Sequence, residues 1–222
     1  VWGLIIMGSD DLFKKRKIKN IKNHQRRVAN RQPYERILIV CEGEKTEPFY
    51  FLELCKNLSL HTANVEITGD CDSSPHSVFS KAKELFDDSK KQQNTFDRVY
   101  CVFDRDNHPD YLKTINSISS QKPKNIFSAV TSVPCFEYWL LLHFTYTTKP
   151  LSNALGAINE LKNFIPNYEK GNKKIFQTVK DSLDFALSNA RRANSEAKKN
   201  YTDNPSTLVV DLVEKLRNLK NR

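Results

Sequence analysis

Apolar positions recur along this chain with two different periods, and the changes of period mark its elements. Arg36–Cys41 (RILIVC) and Arg98–Phe103 (RVYCVF) are short, nearly continuous apolar runs, the pattern of strands covered on both faces. Asn64–Thr68 and Ile126–Val130 read as two further strands. Between the strands the period is helical. Glu47–Asn57 sets Phe51, Leu54, Cys55 and, just beyond it, Leu58 on one face. Ser74 is an N-cap candidate with Pro75 at the first helical position, followed by Val78, Phe79, Ala82, Leu85 and Phe86 at helical spacing. Pro109 opens another helix, with Leu112, Ile115 and Ile118 as its inner face. This βαβαβαβ order predicts an α/β fold with a mainly parallel sheet flanked by helices.

Past Pro134 the pattern changes. The segment CFEYWLLLHF, starting at Cys135, is too long for a strand and reads as a buried helix. Within it, Trp139, His143 and Phe144 read as core residues. Leu151–Phe164 and Asp181–Lys199 are amphipathic helices, and Asn204–Thr207 opens a last one with Leu208, Leu212, Val213, Leu216 and Leu219 inward. The predicted layout is an N-terminal arm (1–33), an α/β body (34–135) and a helical C-terminal part (136–222), the last two sharing one core.

Charge alters the picture at one end. The net charge is +9, and nine basic residues lie between Lys14 and Arg31 with no acid among them. Lys14, Lys15, Arg16, Lys17, Arg26 and Arg27 are the strongest candidates for phosphate contacts in nucleic acid, through counterion release. The same run also reads as a solvated tail. The single methionine, Met7, follows VWGLII, which is too short for a signal sequence; the natural start is expected at Met7. No apolar run reaches the length of a membrane span. Five cysteines without a CxxC pair read as reduced, mostly buried thiols of a cytoplasmic protein. Spacing gives little support to a zinc site at Cys71 and His76.

The chemistry concentrates where the two most apolar strands end. The first runs into Glu42-Gly43-Glu44-Lys45 with Glu47 close behind, and the third ends at Asp104-Arg105-Asp106. Ligands of open parallel sheets bind beyond the carboxyl ends of the strands. If these strands are neighbours, their carboxylates meet there and need a cation or shared protons. Oxygen ligands of this kind suit Mg²⁺ or Mn²⁺ and a phosphate substrate. Each motif has a plainer alternative. A DxD favours turns, and a glutamate cluster favours the first turn of a helix. Gly43 suits a tight strand-to-helix turn. GEKTE is not a phosphate-binding loop, because the residues before Gly43 contain no glycine. The basic segment 168–176 (YEKGNKKIF) reads as a solvated connection or as a nucleic-acid contact. Arg191 and Arg192 read as surface charge, able to pair with acids.

A hydrophobic strand ending in Glu-Gly, with a DxD ending a later strand, resembles the Toprim domains of topoisomerases, primases and overcoming-lysogenization-defect (OLD) nucleases. More specifically, CEGEKTEPFYF, VFDRD, SVPCFEYWLLLHF and NPSTLVVDLVEKL resemble the RloB family (RloB-like and AbiLii-like proteins), over roughly residues 7–220. The resemblance implies a Toprim-like fold and a place in restriction-linked or abortive-infection loci, beside an AAA-type ATPase of the RloA/AbiLi kind. It implies a Mg²⁺- or Mn²⁺-dependent nuclease acting on DNA or RNA in anti-phage defence. The alternatives are a non-catalytic nucleic-acid-binding or regulatory module, and an effector cutting a structured RNA. Homo-oligomers are compatible with either. By the same resemblance Glu42 is the acid/base or metal-facing glutamate and Asp104 and Asp106 bind metal. Glu137 is a further ligand or simply an acid at a helix start. Gly43, Glu44, Lys45, Glu47 and Arg105 are supporting residues. Thr46 stands where OLD nucleases carry a second acid, with Glu47 next.

Overall fold

The computed structural model describes residues 35–60, 64–72, 74–106 and 108–220. The basic arm, with Lys14, Lys15, Arg16, Lys17, Arg26 and Arg27, lies outside the described residues. The described residues from Glu35 onward form one compact unit. Strand β1 (Ile37–Cys41) leads to α1 (Thr46–Asn57), β2 (Val65–Thr68), α2 (Pro75–Lys91), β3 (Arg98–Asp104), α3 (Tyr111–Ser120) and β4 (Phe127–Val133). The C-terminal part adds α4 (Phe136–Leu141), α5 (Ala154–Lys162), α6 (Ile175–Val179), a single 3₁₀ turn, α7 (Leu183–Lys199), β5 (Ser206–Thr207) and α8 (Val209–Lys220).

The sheet order is β2-β1-β3-β4-β5, with every pair parallel except β4–β5. The expected α/β class and mainly parallel sheet are therefore present, an arrangement consistent with a Toprim-like fold. All five residues of β1 are buried because both faces of the sheet are covered. On one face Ile37, Ile39 and Cys41 pack with α1 and with the helices beyond residue 135. On the other, Leu38 and Val40 pack with α2 and α3. Each large side chain buried in this way contributes about 1.5–3 kcal/mol. Chain direction across the sheet reverses between β1 and β3: β2 lies to one side of β1, and β3 and β4 to the other. Crevices at such a switch point are the common ligand sites of open α/β sheets. No helix among the described residues is long and apolar enough to cross a membrane.

Local signals explain most boundaries. The Ser74 hydroxyl accepts the Ser77 N–H at 3.1 Å, and Pro75 occupies the first turn of α2 as predicted. The structure also corrects several expectations. Helix α3 turns Tyr111, Thr114 and Ile118 inward, and Leu112 is 69% exposed. The helix begins at Tyr111, with Asp110 as its N-cap, rather than at Pro109. The CFEYWLLLHF segment forms only six residues of helix before breaking into turns, although it is buried from Cys135 to His143. Trp139 and His143 are core residues, and the His143 Nδ1 faces the Trp139 carbonyl at 3.1 Å. Burial pulls the His143 imidazole down to about 4, so it is neutral near pH 7. Phe144 is only partly buried and stacks on Phe164.

The last helix does not begin at Asn204. Ser206 and Thr207 pair with Val133 and Ser132 of β4, which runs three residues further than predicted. Asn194 of α7 holds this short strand from behind: its side chain accepts the Thr207 N–H at 3.0 Å and donates to the Thr207 carbonyl at 2.8 Å. Helix α8 starts at Val209. Leu208 is exposed, whereas Leu212, Val213 and Leu216 are buried. Arg191 pairs with Glu214, and the Arg192 guanidinium sits 3.9 Å from the Tyr146 ring centroid.

One close approach fixes how β2 ends beside the β1–α1 turn. A Cβ on Gly69 would lie 2.1 Å from the Gly43 carbonyl oxygen and 2.8 Å from Pro48 Cγ. Gly69→Ala is therefore expected to destabilise the fold by roughly 1–3 kcal/mol, the usual cost of overpacking. Gly156→Ala, in α5 with ordinary van der Waals room, is expected to be neutral or stabilising by up to about 1 kcal/mol. Denaturant unfolding of both variants checks this, and an unaffected Gly69→Ala midpoint would contradict it.

Candidate metal centre

Strands β1 and β3 are hydrogen-bonded neighbours, with Cys41 opposite Val102. Their ends therefore deliver Glu42 and Asp104 to the same place. The Glu42 N–H donates to the Val102 carbonyl at 3.0 Å, continuing the ladder one residue past β1. The Glu42 side chain crosses to β3, where Oε2 accepts the Asp104 N–H at 2.9 Å. Its Oε1 lies 3.0 Å from His108 Nε2. Two strand ends are thus linked through the Glu42 carboxylate. The Phe136 N–H, at the first residue of α4, favours the charged form of Asp104.

Glu137 and Glu47 complete the acidic group. Glu137 lies in the first turn of α4 and is 1% exposed. Its Oε1 accepts the Tyr168 hydroxyl at 3.0 Å and lies 3.4 Å from Lys170 Nζ. Its Oε2 is buried and has no hydrogen-bond partner among the described residues, a state that is rare for a buried polar atom. Among the described residues, one group offers metal-ligating atoms at close quarters: single ligand atoms of Asp104, Cys135 and Glu137 all lie within 4.8 Å of one another. Glu47, in the first turn of α1, is the acid beside Gly43, where a Cβ would stand 3.3 Å from its Oε2. Gly43 is needed here less for its conformational freedom than for the space it leaves that carboxylate.

The electrostatics record the crowding. Burial pushes the Glu47 carboxyl up to about 7, with the charges of Glu137 and Glu42 adding to the effect. The Glu47 backbone N–H and the Lys170 ammonium act in the opposite direction. Burial, followed by the charges of Glu47, Glu137 and Glu42, holds Asp104 well above the ordinary aspartate range. Burial raises the Cys135 thiol far above its usual range, and Glu137 and Asp104 reinforce that shift. For Lys170 burial works to lower the ammonium, but Glu137 and Asp104 outweigh it and the net shift is upward. These directions follow from like charges sharing a desolvated space.

The other candidate residues sit around this centre. Asp106 is exposed, with φ at +33° and its N–H bonded to the Pro134 carbonyl at 3.2 Å. Glu44 and Lys45 are exposed. The Arg105 guanidinium pairs with Asp203. Thr46 is buried, and its hydroxyl accepts the Gly171 N–H at 2.9 Å. The Cys71 thiol donates to the Cys41 carbonyl at 3.1 Å, and His76 is exposed in the first turn of α2. All five cysteines are free.

Segment 168–176 connects α5 to α6 with Glu169, Lys170 and 172–174 exposed, as the reading of a connection with a solvated face has it, but it is also tied to the acidic centre. Tyr168 is buried against Glu137, Lys170 reaches the same carboxylate, and Gly171 clips the segment onto the N-terminus of α1. Gly171 has φ at +83°, and a Cβ there would meet Lys45 Cδ at 2.9 Å, so only glycine fits this contact. Lys170, Tyr168, Cys135 and His108 are the site neighbours that sequence reasoning did not select. A Tyr-x-Lys-Gly run in a basic loop carries no local sign of a partner some 30 residues upstream.

Oxygen donors of this kind suit a hard divalent cation, and the partnerless Glu137 Oε2 is an oxygen available to one. Asp104 and Glu137 could hold it directly, with Glu42 and Glu47 close by. Comparison with curated proteins and with solved structures gave no match. The family model described as RloB-like protein matches residues 37–216, a span that includes every residue of this centre. The chain belongs to the RloB-like family.

Proposed function

We propose that this chain is a Toprim-like nuclease that cleaves phosphodiester bonds of DNA or RNA with Mg²⁺ or Mn²⁺. The observation that carries this reading is the convergence of Glu42, Glu47, Asp104 and Glu137 at the sheet's switch point, with one buried Glu137 oxygen unpartnered. Asp104 and Glu137 would hold the cation. When bound, it supplies charge stabilisation to a phosphoryl group undergoing displacement.

The chain's own residues supply the rest. Glu47, with its carboxyl near 7, can take or give a proton at neutral pH, as a general acid or base must. Glu42 is fixed by the Asp104 N–H and by His108, which orients it toward the metal-binding carboxylates. Lys170 reaches the centre from a half-exposed position and can meet a phosphate oxygen. Lys45, Lys173 and Lys174 are exposed on the neighbouring rim, a basic border suited to a polyanionic backbone. Nucleic acid is thus the proposed partner, with the arm residues Lys14 to Arg27 adding affinity. The family resemblance supports a role in anti-phage defence, alongside an AAA-type ATPase of the RloA/AbiLi kind, in the cytoplasm.

Two outcomes test this. In Mn²⁺, with single-stranded, duplex and structured DNA and RNA offered in the presence and absence of the ATPase, the full chain is expected to cleave. Asp104→Asn should lose at least about 10³-fold, the loss of several kcal/mol of transition-state stabilisation. Lys170→Met should lose about 10²–10³-fold, as for other donors to a developing negative charge. Cleavage by Asp104→Asn at the wild-type rate would refute the site. Nucleic-acid binding without cleavage under every condition would favour a non-catalytic module.

The second outcome concerns pH and stability without metal. Because the folded-state pKa of Glu47 is raised to about 7 from its ordinary 4.5, its contribution is fully present below about pH 4.5 and is lost as pH rises through 7. Asp104 has the same sign. His143, depressed to about 4, has the opposite one, so the Glu47 part is read as a difference between variants. In chelator, Glu47→Gln should melt above wild type at pH 8, and the gap should shrink toward pH 5. Melting curves at both pH values check this; a gap that does not change with pH would contradict it.

A further inference from the structure

One group in the acidic centre does not belong to a site built only for a hard cation. Cys135 is fully buried at the junction of β4 and α4. Its backbone is extended, with φ at −154° and ψ at 171°. Its Sγ is one of the three atoms that lie within 4.8 Å of one another, with a carboxylate oxygen each from Asp104 and Glu137. Cys41 and Cys55 share with Cys135 the apolar core on one face of the sheet and Cys101 lies in that on the other, but among the described residues only Cys135 stands in a group with two carboxylates. The half-buried Cys71 is spent on a backbone carbonyl. At Glu137, Tyr168 and Lys170 both take Oε1. The oxygen left over is Oε2, enclosed and without a partner among the described residues. A buried carboxylate oxygen in that state points to a ligand that completes it.

We propose that Cys135 is a metal ligand. The centre then takes a transition-metal cation of the Mn–Co–Zn series, through Cys135 Sγ with Asp104 and Glu137, in preference to Mg²⁺. This rests on the metal-centred reading above and specifies which cations the centre selects. Sulfur donors favour the later divalent metals, while all-oxygen sites suit magnesium. Metal–sulfur bonds of about 2.3 Å and metal–oxygen bonds of about 2.0–2.2 Å put ligand atoms up to about 4.5 Å apart. Three atoms already within 4.8 Å of one another reach that spacing by small side-chain adjustments. As the sulfur–metal bond forms, the S–H bond breaks and the proton leaves to solvent.

The test is titration of the full chain with Co²⁺, followed by absorbance and calorimetry. Wild type should show a near-ultraviolet thiolate-to-cobalt charge-transfer band that saturates with binding. Cys135→Ser should still bind Co²⁺ but lack the band. The Mg²⁺ excess needed to displace Co²⁺ should fall by at least about tenfold in that variant, since even the loss of an outer-shell partner costs a metal site about 10- to 100-fold. Co²⁺ binding to wild type without the band, or a band that survives in Cys135→Ser, overturns the proposal while leaving an oxygen-ligand metal centre standing. Failure of wild type to bind Co²⁺ or Mn²⁺ at all overturns both. Should Cys135→Ser not fold, the wild-type spectrum decides alone, with Glu137→Gln expected to weaken the band.

Discussion

Like charges held together out of water are the constraint on which the rest of this structure depends. Two unit charges about 4 Å apart repel by about 4 kcal/mol at an effective dielectric of about 20, and here several carboxylates share one desolvated edge. The fold has no packing reason to bring them together. Glu42 and Asp104 come from different strands, Glu47 from the helix after the first strand, and Glu137 from the helix after the fourth. Each lies at the carboxyl end of a parallel strand or in the helix turn that follows, which is where an open sheet presents backbone N–H groups and helix starts.

The surrounding chain offsets part of that repulsion. The Asp104 N–H serves Glu42, and the Tyr168 hydroxyl and Lys170 ammonium serve Glu137. The last two arrive on a segment far along the chain, which the Gly171–Thr46 hydrogen bond holds against α1. Thr46 is thus the anchor that brings a cation-bearing segment to the centre, and the acid next to it, Glu47, faces the cluster. Among the described residues none partners Glu137 Oε2. That remaining demand is the physical basis of the proposed cation site.

Much of the scaffold was legible because periodicity is a local signal. The apolar runs of β1 and β3 and the Ser74-Pro75 start of α2 follow from residues a few positions apart. The neighbouring of β1 and β3, left conditional in the sequence, follows once α1 and α2 cover opposite faces of the sheet. Legibility failed where a distant partner decides the outcome. Asn204–Thr207 looks like a helix start, yet Asn194 and β4 capture it as an edge strand. Leu112 looks like core, yet α3 is rotated to bury Tyr111 and Thr114. In the site, the acids advertise themselves beside glycine and at strand ends. Cys135 and Lys170 do not, because their meaning comes only from proximity to Asp104 and Glu137 in space.

The most direct test of a cation-dependent acidic centre is calorimetric titration of Mn²⁺ into the wild-type chain and into a Glu42→Gln/Asp104→Asn double variant, each shown by its melting curve to be folded. Saturable binding to wild type that is lost in the double variant is the predicted result. Equal binding to both, or no binding to wild type even with a short DNA or RNA present, would contradict the account.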